Sequence, residues 1–356
     1  MKEVAMMGEQ IQIARKSRGW SLEFLSAQIG RAVTKQALHK YEQGKDAPGS
    51  AVLLKLSEAF GVGIDYFFRD PAVAIQLGEL HCRKRTSVGA RKLAQITAQA
   101  KEAIEARLAI ESLFPAERFP KFKIPPPDKR RVTTLEDVET VAMEVRKSLN
   151  LGLDAIENMT ELLEDIGVKV FQWAGNEAGF DGFACWANDS IPVIVTRSSL
   201  PGDRQRSNLA HELGHLIMEV SPSVDSEKAA KRFSAAFLVP KPTAQSELSS
   251  ARKKLALPEL QQLKKKYGMS MQQWIYRAKD LGIISPALAQ QYFMFFRRSH
   301  SHKEEPGAAI PPEKSTRFGR IALQAVSEGI LSPARAAELT GLPLQEFRPS
   351  PLSAET

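Results

Sequence analysis

Two histidines spaced four residues apart constrain this chain more than any other feature of its sequence. They are His211 and His215, and they lie in the stretch SNLAHELGHLIME, residues 207–219. Residues four apart project from the same face of an α-helix, about one turn apart, which is a spacing at which two imidazoles bind one metal ion. Glu212 follows the first histidine, where its carboxylate can reach a water held by that metal without being a ligand. The sequence therefore predicts a helix that carries a zinc site.

The residues around this motif favour the helix. Apolar side chains recur at helical spacing at Leu209, Leu213, Leu216, Ile217 and Val220. Gly214 would allow another segment to approach the helix closely, because it has no side chain. The alternative, two surface or core histidines without a metal, accounts less well for a glutamate in this position and for the apolar setting.

Length and composition predict a globular protein with more than one domain. The chain has 356 residues, of which 43% are hydrophobic, so it can form two or three packed cores. No apolar run has the length of a signal peptide or approaches the roughly 18 residues of a membrane helix, and we expect a cytoplasmic protein with no membrane partner. The two cysteines, Cys82 and Cys185, lack C-x-x-C spacing and are expected to be reduced and structural.

The net charge of +8 is concentrated in the first third of the chain. Residues 1–70 contain 10 Lys and Arg against 8 Asp and Glu, residues 71–131 contain 13 against 6, and the remainder contains 26 against 27. Such asymmetry predicts that an acidic polymer binds the amino-terminal part. The alternative is a solvated basic helix without a partner.

Residues 8–68 have the pattern of four short helices. Ser21 is a typical amino-terminal cap for the second helix, and Thr34 begins the third. The connection from Gly30 to Val33 is tight, and two short helices joined in this way describe a helix-turn-helix.

Particular residues of this segment match a known DNA-binding domain. They are Ile11, Ala14, Arg15, Gly19 and Ser21 at the start, Leu38, Tyr41, Glu42, Gly44 and Pro48 in the middle, and Leu53, Leu56, Ala59, Phe60, Gly61 and Val62 at the end. With them the segment resembles the lambda-repressor-like, XRE-type helix-turn-helix domain.

The resemblance makes the helix from Thr34 to Gln43 the recognition helix, whose first residues face base edges in the major groove of double-stranded DNA. The implied DNA-contacting residues, of which Arg31 and Lys40 are the ones nearer phosphate, are Arg31, Thr34, Lys35, Gln36, His39 and Lys40. The resemblance also implies a homodimer on paired half-sites. The alternative for these polar residues is an exposed helix face without a partner.

A basic segment and a proline-rich stretch follow. Residues 75–114 have a helical pattern and are strongly basic around HCRKRTSVGARK. Five prolines then occur within thirteen residues, at positions 115, 120, 125, 126 and 127. This composition predicts an extended, polyproline-stiffened linker that separates the DNA-binding module from the rest.

The second half combines helices with three strands. Two helical stretches, closed by Gly152 and Gly167, precede the strand patterns VKVFQW, FDGFACWA and IPVIVT. The HELGH helix comes next, followed by EKAAKRFSAAFLVP, a helix that Pro240 stops. The stretch LPELQQLKKKYGMSMQQWIYRAKDLGIIS again has helix-turn-helix spacing, which we interpret as packing structure before nucleic-acid contact.

A catalytic zinc site usually needs a third protein ligand, and three later acidic residues are at a suitable distance. Glu219 is expected one turn beyond His215 on the same helix, and Asp225 in the turn that follows. Glu227 begins the next helix, whose small residues would let it lie against the HELGH helix. The residues alone favour Glu227 but leave the other two open.

A second resemblance covers this half of the chain. The residues that carry it are Leu163, Gly167, Val168, Val170, Phe180, Asp181, Gly182, Ala210, His211, Glu212, Leu213, Gly214, His215, Glu227, Ala230, Phe233, Ala235, Leu238 and Pro240. With them the chain resembles the ImmA/IrrE metallo-endopeptidases. The resemblance implies Zn²⁺ bound by His211, His215 and Glu227, with Glu212 as general base. It also implies a protein substrate of regulatory type.

At two positions the last helix departs from the family pattern. Relatives often carry a second Glu and an Asn where this chain has Ala229 and Lys231, but neither change affects the three implied ligands. Tyr276 is available to stabilise an oxyanion, although a buried structural tyrosine is an equal alternative.

The expected fold is mainly α with a small sheet. It comprises an all-α helix-turn-helix domain in residues 1–70, a basic helical segment and linker in 71–131, an α+β zincin-like domain in 132–245 and a helical region in 246–356. Two functions remain open: a DNA-binding regulator that cleaves a regulatory protein, and a repressor or antitoxin-like protein whose zinc domain is a sensor or scaffold.

Overall fold

A computed structural model describes residues 2–68, 74–82, 88–123, 125, 128, 130–299 and 305–348. The fold is mainly α with small sheets, as predicted. In chain order the helices are α1 (Lys2–Ser17), α2 (Leu22–Gln28), α3 (Lys35–Glu42), α4 (Ser50–Phe60), α5 (Ala90–Glu111), α6 (Asp137–Ser148), α7 (Met159–Asp165), α8 (Gly202–Ile217), α9 (Ser226–Leu238), α10 (Lys241–Leu248), α11 (Leu257–Tyr267), α12 (Met271–Asp280), α13 (Pro286–Arg298), α14 (Arg317–Ser327) and α15 (Pro333–Thr340). The strands are β1 (His81–Cys82), β2 (Arg131–Val132), β3 (Lys169–Trp173), β4 (Gly182–Ala187), β5 (Ile191–Arg197) and β6 (Glu219–Val220).

The chain divides into two compact units. The first comprises Met1–Leu77, Ser87–Phe119 and Arg317–Thr356, and the second comprises Gly78–Thr86 and Pro120–Thr316. This division differs from the predicted one, because residues 317 onward belong with the amino-terminal unit and the rest of 246–356 belongs with the second unit. Hydrophobic periodicity shows that a helix needs a partner but does not show which partner it has.

Helices α1 to α4 form the helix-turn-helix core of the first unit. Their apolar faces bury a cluster that includes Ile11, Leu25, Leu38, Leu56 and Phe67, all at 0% exposure. The first helix begins at Lys2, earlier than the predicted start at residue 8. The amino-terminal caps of α2 and α3 are the predicted ones.

The helix predicted within residues 75–114 forms as α5, which belongs to the first unit. Within residues 71–131, α5 spans Ala90–Glu111, and its end packs with the carboxy-terminal helices in a second small core made of Ile110, Phe114, Ile321, Ala322, Ala325, Ala336 and Phe347. The basic stretch 83–87 and two of the five prolines, Pro126 and Pro127, lie outside the described residues. The helix forms because its alanine-rich sequence favours helix, and its apolar residues have a partner surface in the same unit.

The second unit contains a four-stranded sheet in the order β1-β4-β5-β3. Strand β4 runs antiparallel to β5, and β3 runs parallel to β5. These three strands are the predicted ones. Strand β1, from a segment whose pattern was interpreted as helical, pairs antiparallel with β4. Strands β2 and β6 form a separate parallel pair.

Buried charges join three helices of the second unit. The guanidinium of Arg277, on α12, is 0% exposed and forms two hydrogen bonds to the carboxylate of Glu139, on α6, one of them at 2.7 Å. Arg232, on α9, contacts the same carboxylate at 3.2 Å. Because one acid is shared by two arginines, α6, α9 and α12 are held in a fixed arrangement. Among the described residues, no helix is long and apolar enough to cross a membrane.

Candidate metal centre and nucleic-acid interface

Helix α8 presents both histidines of the motif on one face. The Nε2 atoms of His211 and His215 lie 3.1 Å apart. His211 is 1% exposed, whereas the side chain of His215 is 11% exposed, so the pair lies at the edge of the core and opens toward solvent on one side. Glu212 is 1% exposed and is one residue from the first histidine on the same helix.

Helix α9 brings Glu227 to the two histidines. Its carboxylate oxygens lie 3.3 Å from His215 Nε2 and 3.7 Å from His211 Nε2. The three side chains form a group able to hold a metal ion. In a tetrahedral zinc site with bonds of about 2.0–2.1 Å, neighbouring ligand atoms lie about 3.3 Å apart. The 3.1 Å between the two imidazole nitrogens is close to that value, and one ligand atom from each of the three residues lies within 4.8 Å of the other two, so the donor set fits zinc.

The structure gives the two other acidic candidates different roles. Asp225 is the amino-terminal cap of α9, and its side chain accepts hydrogen bonds from the backbone N–H groups of Glu227 and Lys228 at 3.0 and 3.1 Å. Glu219 was expected on the same helix as the histidines, but α8 ends at Ile217 and Glu219 lies in β6. Its carboxylate pairs there with Arg130 at 2.5 Å.

Close packing between α8 and α9 sets the position of Glu227. A Cβ atom on Gly214 would lie 2.9 Å from Cδ1 of Phe233, so this glycine is required for the approach of α9. The hydroxyl of Ser234, on α9, also donates to the backbone oxygen of Ser207 at 2.8 Å. Because Gly214 has no side chain, α9 lies close enough to α8 for Glu227 to reach His211 and His215.

The start of β4 fixes the other side of α8. The side-chain amide of Asn208 donates to the backbone oxygen of Asp181 at 3.1 Å, and Arg204 pairs with the Asp181 carboxylate at 2.7 Å. A Cβ atom on Gly182 would lie 2.4 Å from the Asn208 amide nitrogen. Sequence analysis assigned no role to Asn208, although its place one turn before Glu212 was a usable signal.

Tyr276 is neither buried nor placed in the cluster by any contact we observe. Its side chain is 49% exposed on α12, and its ring lies 4.3 Å from that of Phe293, centroid to centroid. The structure therefore offers no support for an oxyanion role of this tyrosine.

The recognition helix α3 exposes the predicted DNA-contacting residues. Leu38, Tyr41 and Glu42 face the core, and the residues predicted to contact DNA are all exposed: Arg31, Thr34, Lys35, Gln36, His39 and Lys40. Arg31 lies in the turn before the helix with φ of 54°, a left-handed conformation that directs the chain sharply from α2 into α3.

Thr34 has a structural role in addition to the predicted one. Its side-chain oxygen accepts a hydrogen bond from the backbone N–H of Ala37 at 3.3 Å and so caps α3. Helix α3 is also held to α1 by a largely buried ion pair, in which the guanidinium of Arg15 contacts both carboxylate oxygens of Glu42 at 2.6 and 2.7 Å. These contacts fix the orientation of the exposed face.

The exposed face of α3 borders a concave surface that contains three residues absent from the prediction, Leu22, Gln43 and Lys45. The residues that line it are Leu22, Lys35, Gln36, His39, Lys40, Gln43 and Lys45. Gln43 lies 2.9 Å from His39 through their side-chain nitrogens, and Lys45 follows the left-handed Gly44. The sequence shows that Lys45 is charged, but its place on this surface depends on the left-handed turn at Gly44.

Comparisons with known proteins agree with both parts of this arrangement. Residues 11–67 match a family model described as Helix-turn-helix, and residues 163–279 match the M78 peptidase family model described as IrrE N-terminal-like domain. The SPbeta prophage-derived uncharacterized HTH-type transcriptional regulator YonR of Bacillus subtilis (strain 168) is 33% identical over 75 residues, which are 21% of this chain and 68% of that protein. No solved structure matches the chain significantly.

Proposed function

Because this chain belongs to the helix-turn-helix transcriptional regulators and carries an IrrE N-terminal-like domain of the M78 peptidase family, we propose that it is a DNA-binding regulator that cleaves a regulatory protein. The observation that carries the peptidase half is the approach of Glu227 to His211 and His215 within 3.7 Å, beside the buried Glu212. The partners are double-stranded DNA and a protein substrate.

In this proposal His211, His215 and Glu227 bind Zn²⁺. When bound, zinc polarises a peptide carbonyl and lowers the pKa of water to about 7. Glu212 accepts the proton of the attacking water as the new C–O bond forms at the carbonyl carbon. It then delivers that proton to the leaving nitrogen as the C–N bond breaks, which leaves a carboxylic acid and an amine.

The fold supports these roles for this chain's residues. Glu212 lies on a helix that is held by Asn208 on one side and by the packing of Gly214 on the other, so the backbone that carries it is fixed in place. Its 1% exposure limits competing water. The partial exposure of His215 and Glu227 leaves an approach for a peptide.

On the DNA side, α3 enters the major groove with Lys35, Gln36 and His39 toward base edges. Arg31 and Lys40 lie on the flanks and bind phosphate. Lys45 joins them, because it lines the same surface. A homodimer on paired half-sites is part of the proposal, since dimeric helix-turn-helix proteins read two half-sites one helical turn or more apart.

The decisive variant is Glu212→Gln. Glutamine keeps the size and hydrogen bonding of the side chain but cannot accept the proton, so peptide cleavage should fall by about 100-fold or more. Zinc content, measured by elemental analysis, and DNA affinity should be unchanged. The matched control is Glu219→Gln, which changes an acid outside the cluster and should leave cleavage intact.

In cells, the same variant separates the two functional hypotheses. If a cut protein lies between signal and promoter, it accumulates intact in the Glu212→Gln strain and the target genes stay in one state. A normal response of those genes in this strain would mean that the zinc domain is a sensor or scaffold, and the peptidase proposal would be wrong.

A further inference from the structure

The outer edge of β4 is covered by a segment from the region between the helix-turn-helix and α5. In the described residues, His81 and Cys82 pair antiparallel with Ala184 and Phe183. The backbone N–H of Gly78 also donates to the backbone oxygen of Trp186 at 2.8 Å. Residues 78–82 thus add their backbone to the sheet beside β4, on the side opposite β5.

Strand β4 lies along the side of α8 that bears the proposed general base. The Asn208 side chain, on α8, contacts the backbone just before β4, at the oxygen of Asp181. Asn208 and Glu212 are four residues apart and therefore lie on the same helix face, about one turn from each other. The start of β4 therefore contacts the face of α8 to which Glu212 belongs.

An exposed strand edge is a binding surface for extended polypeptide. Its N–H and C=O groups bind any backbone that adopts the strand conformation, so the affinity depends little on side chains. A peptidase must hold its substrate extended so that one carbonyl is accessible, and this edge provides that geometry. The described pairing consists of the two residues of β1 and the hydrogen bond from Gly78 to Trp186, and so short a pairing is weakly held in comparison with a full strand.

We propose that residues 78–82 occupy the edge of β4 where an extended peptidase substrate pairs with the sheet, and that they compete from within the same chain with an unfolded segment of the substrate protein. This proposal rests on the peptidase function proposed above. The internal strand must leave before substrate pairs with β4, so it lowers the fraction of molecules that bind substrate. Apparent affinity falls in proportion to that fraction.

The test is a full-length variant with the paired changes His81→Pro and Cys82→Pro. In an antiparallel pair, one of two successive residues directs its N–H to the neighbouring strand, so two prolines remove that donor. The matched control, His81→Thr with Cys82→Val, keeps both N–H groups. A milder variant, Gly78→Pro, removes only the hydrogen bond to Trp186 and serves if the paired variant does not fold.

Fluorescein-labelled casein is the probe, because it is a disordered polypeptide. We expect both proline variants to cleave it about tenfold faster at low concentration than the wild type or the control. In the Glu212→Gln background, the proline changes should tighten casein binding by a similar factor, and backbone hydrogen exchange in β4 should be faster without casein and slower with it. A synthetic peptide of residues 74–86 should inhibit the released enzyme, and a scrambled peptide should not.

The readouts distinguish failure of this proposal from failure of the peptidase function. Equal casein affinity and equal cleavage in released and control variants, with exchange in β4 shown to have increased, would overturn the competing-strand proposal alone. Tighter casein binding in the released variants without cleavage by any of them would support the edge as a polypeptide-binding surface and overturn the peptidase function.

Discussion

At the scale of single residues, the three acidic residues considered for the candidate metal centre make three different kinds of contact. Asp225 caps the helix that Glu227 begins, and Glu219 pairs with Arg130. Only Glu227 reaches the two histidines. The contacts of Asp225 and Glu219 explain why neither is near the histidines. They therefore support Glu227 as the third zinc ligand more firmly than the sequence spacing does.

We therefore expect Glu227→Ala to lose most of its zinc. Three protein ligands leave no spare donor, so removal of one weakens binding strongly. Zinc per chain after gel filtration, measured by elemental analysis, checks this, with Glu219→Ala as the control. Full zinc occupancy in Glu227→Ala would contradict the assignment.

At the scale of elements, helix ends and buried ion pairs decide how the two sites are presented. Helix α3 begins with a threonine cap and is tied to α1 through Arg15 and Glu42. Helices α6, α9 and α12 share the carboxylate of Glu139. These contacts lie away from DNA and metal, but they orient the elements that carry the proposed contacts.

The cap of α3 predicts a graded effect of Thr34 substitutions. Thr34→Ala removes the acceptor for the Ala37 N–H and should destabilise the helix-turn-helix by about 1 kcal/mol, whereas Thr34→Ser should retain most of the stability. Hydrogen exchange in α3 of the intact protein measures the change. Equal exchange in the two variants would show that the Thr34 cap does not stabilise α3.

The shared carboxylate predicts a pH dependence. Burial raises the pKa of Glu139, but the hydrogen bonds and charges of Arg277 and Arg232 outweigh it and hold this pKa below the ordinary value of 4.5. The lowered pKa means that the stabilisation is fully present above that ordinary value. It is lost as the pH falls through the lower pKa of the folded protein.

Glu139→Gln should accordingly be less stable than the wild type at pH 7, by about 3 kcal/mol, because Arg277 loses its buried counter-charge. The difference should shrink as the pH falls below 4.5. Urea unfolding monitored by tryptophan fluorescence at several pH values measures it. Glu136→Gln is the control, since that acid is 78% exposed and its pairing with Arg232 contributes little.

At the scale of the whole molecule, the two units separate the two proposed activities. The helix-turn-helix, α5 and the carboxy-terminal helices form one unit, and the sheet with α8 and α9 belongs to the other. Within residues 1–131, the segments of the first unit contain 15 Lys and Arg against 12 Asp and Glu, and residues 78–86 and 120–131 of the second unit contain 8 against 2. Net charge therefore does not distinguish the units, and the exposed face of α3 is what favours the first unit as the one that binds DNA.

Binding of duplex DNA should weaken steeply with salt, because lysine and arginine displace counterions from phosphate. Lys40→Ala should weaken binding to all sequences alike and reduce the salt slope by about 1, and Gln36→Ala should relax sequence preference by about 1–3 kcal/mol. Fluorescence anisotropy over a salt series measures both effects. Lys147→Ala, an exposed charge of the second unit, should change neither, and an equal loss in this variant would contradict the assignment.

The sequence by itself determined the local features of this protein. Cap residues, helical periodicity and strand alternation predicted α2, α3, α8, α9 and the three main strands, because these signals act within one or two turns or along one strand. The spacing of His211 and His215 and the exposed face of α3 are local features of the same kind, because each lies within a single helix. For this reason the proposed site residues could be named before the fold was known.

Only the tertiary structure decided what lies far apart in sequence. It excluded Glu219 and Asp225 from the cluster, assigned α5, α14 and α15 to the first unit and placed residues 81–82 at the edge of β4. Each of these outcomes depends on which surface an apolar face or an open strand edge meets. Packing over the whole chain decides which surfaces meet, so a local sequence pattern cannot predict it.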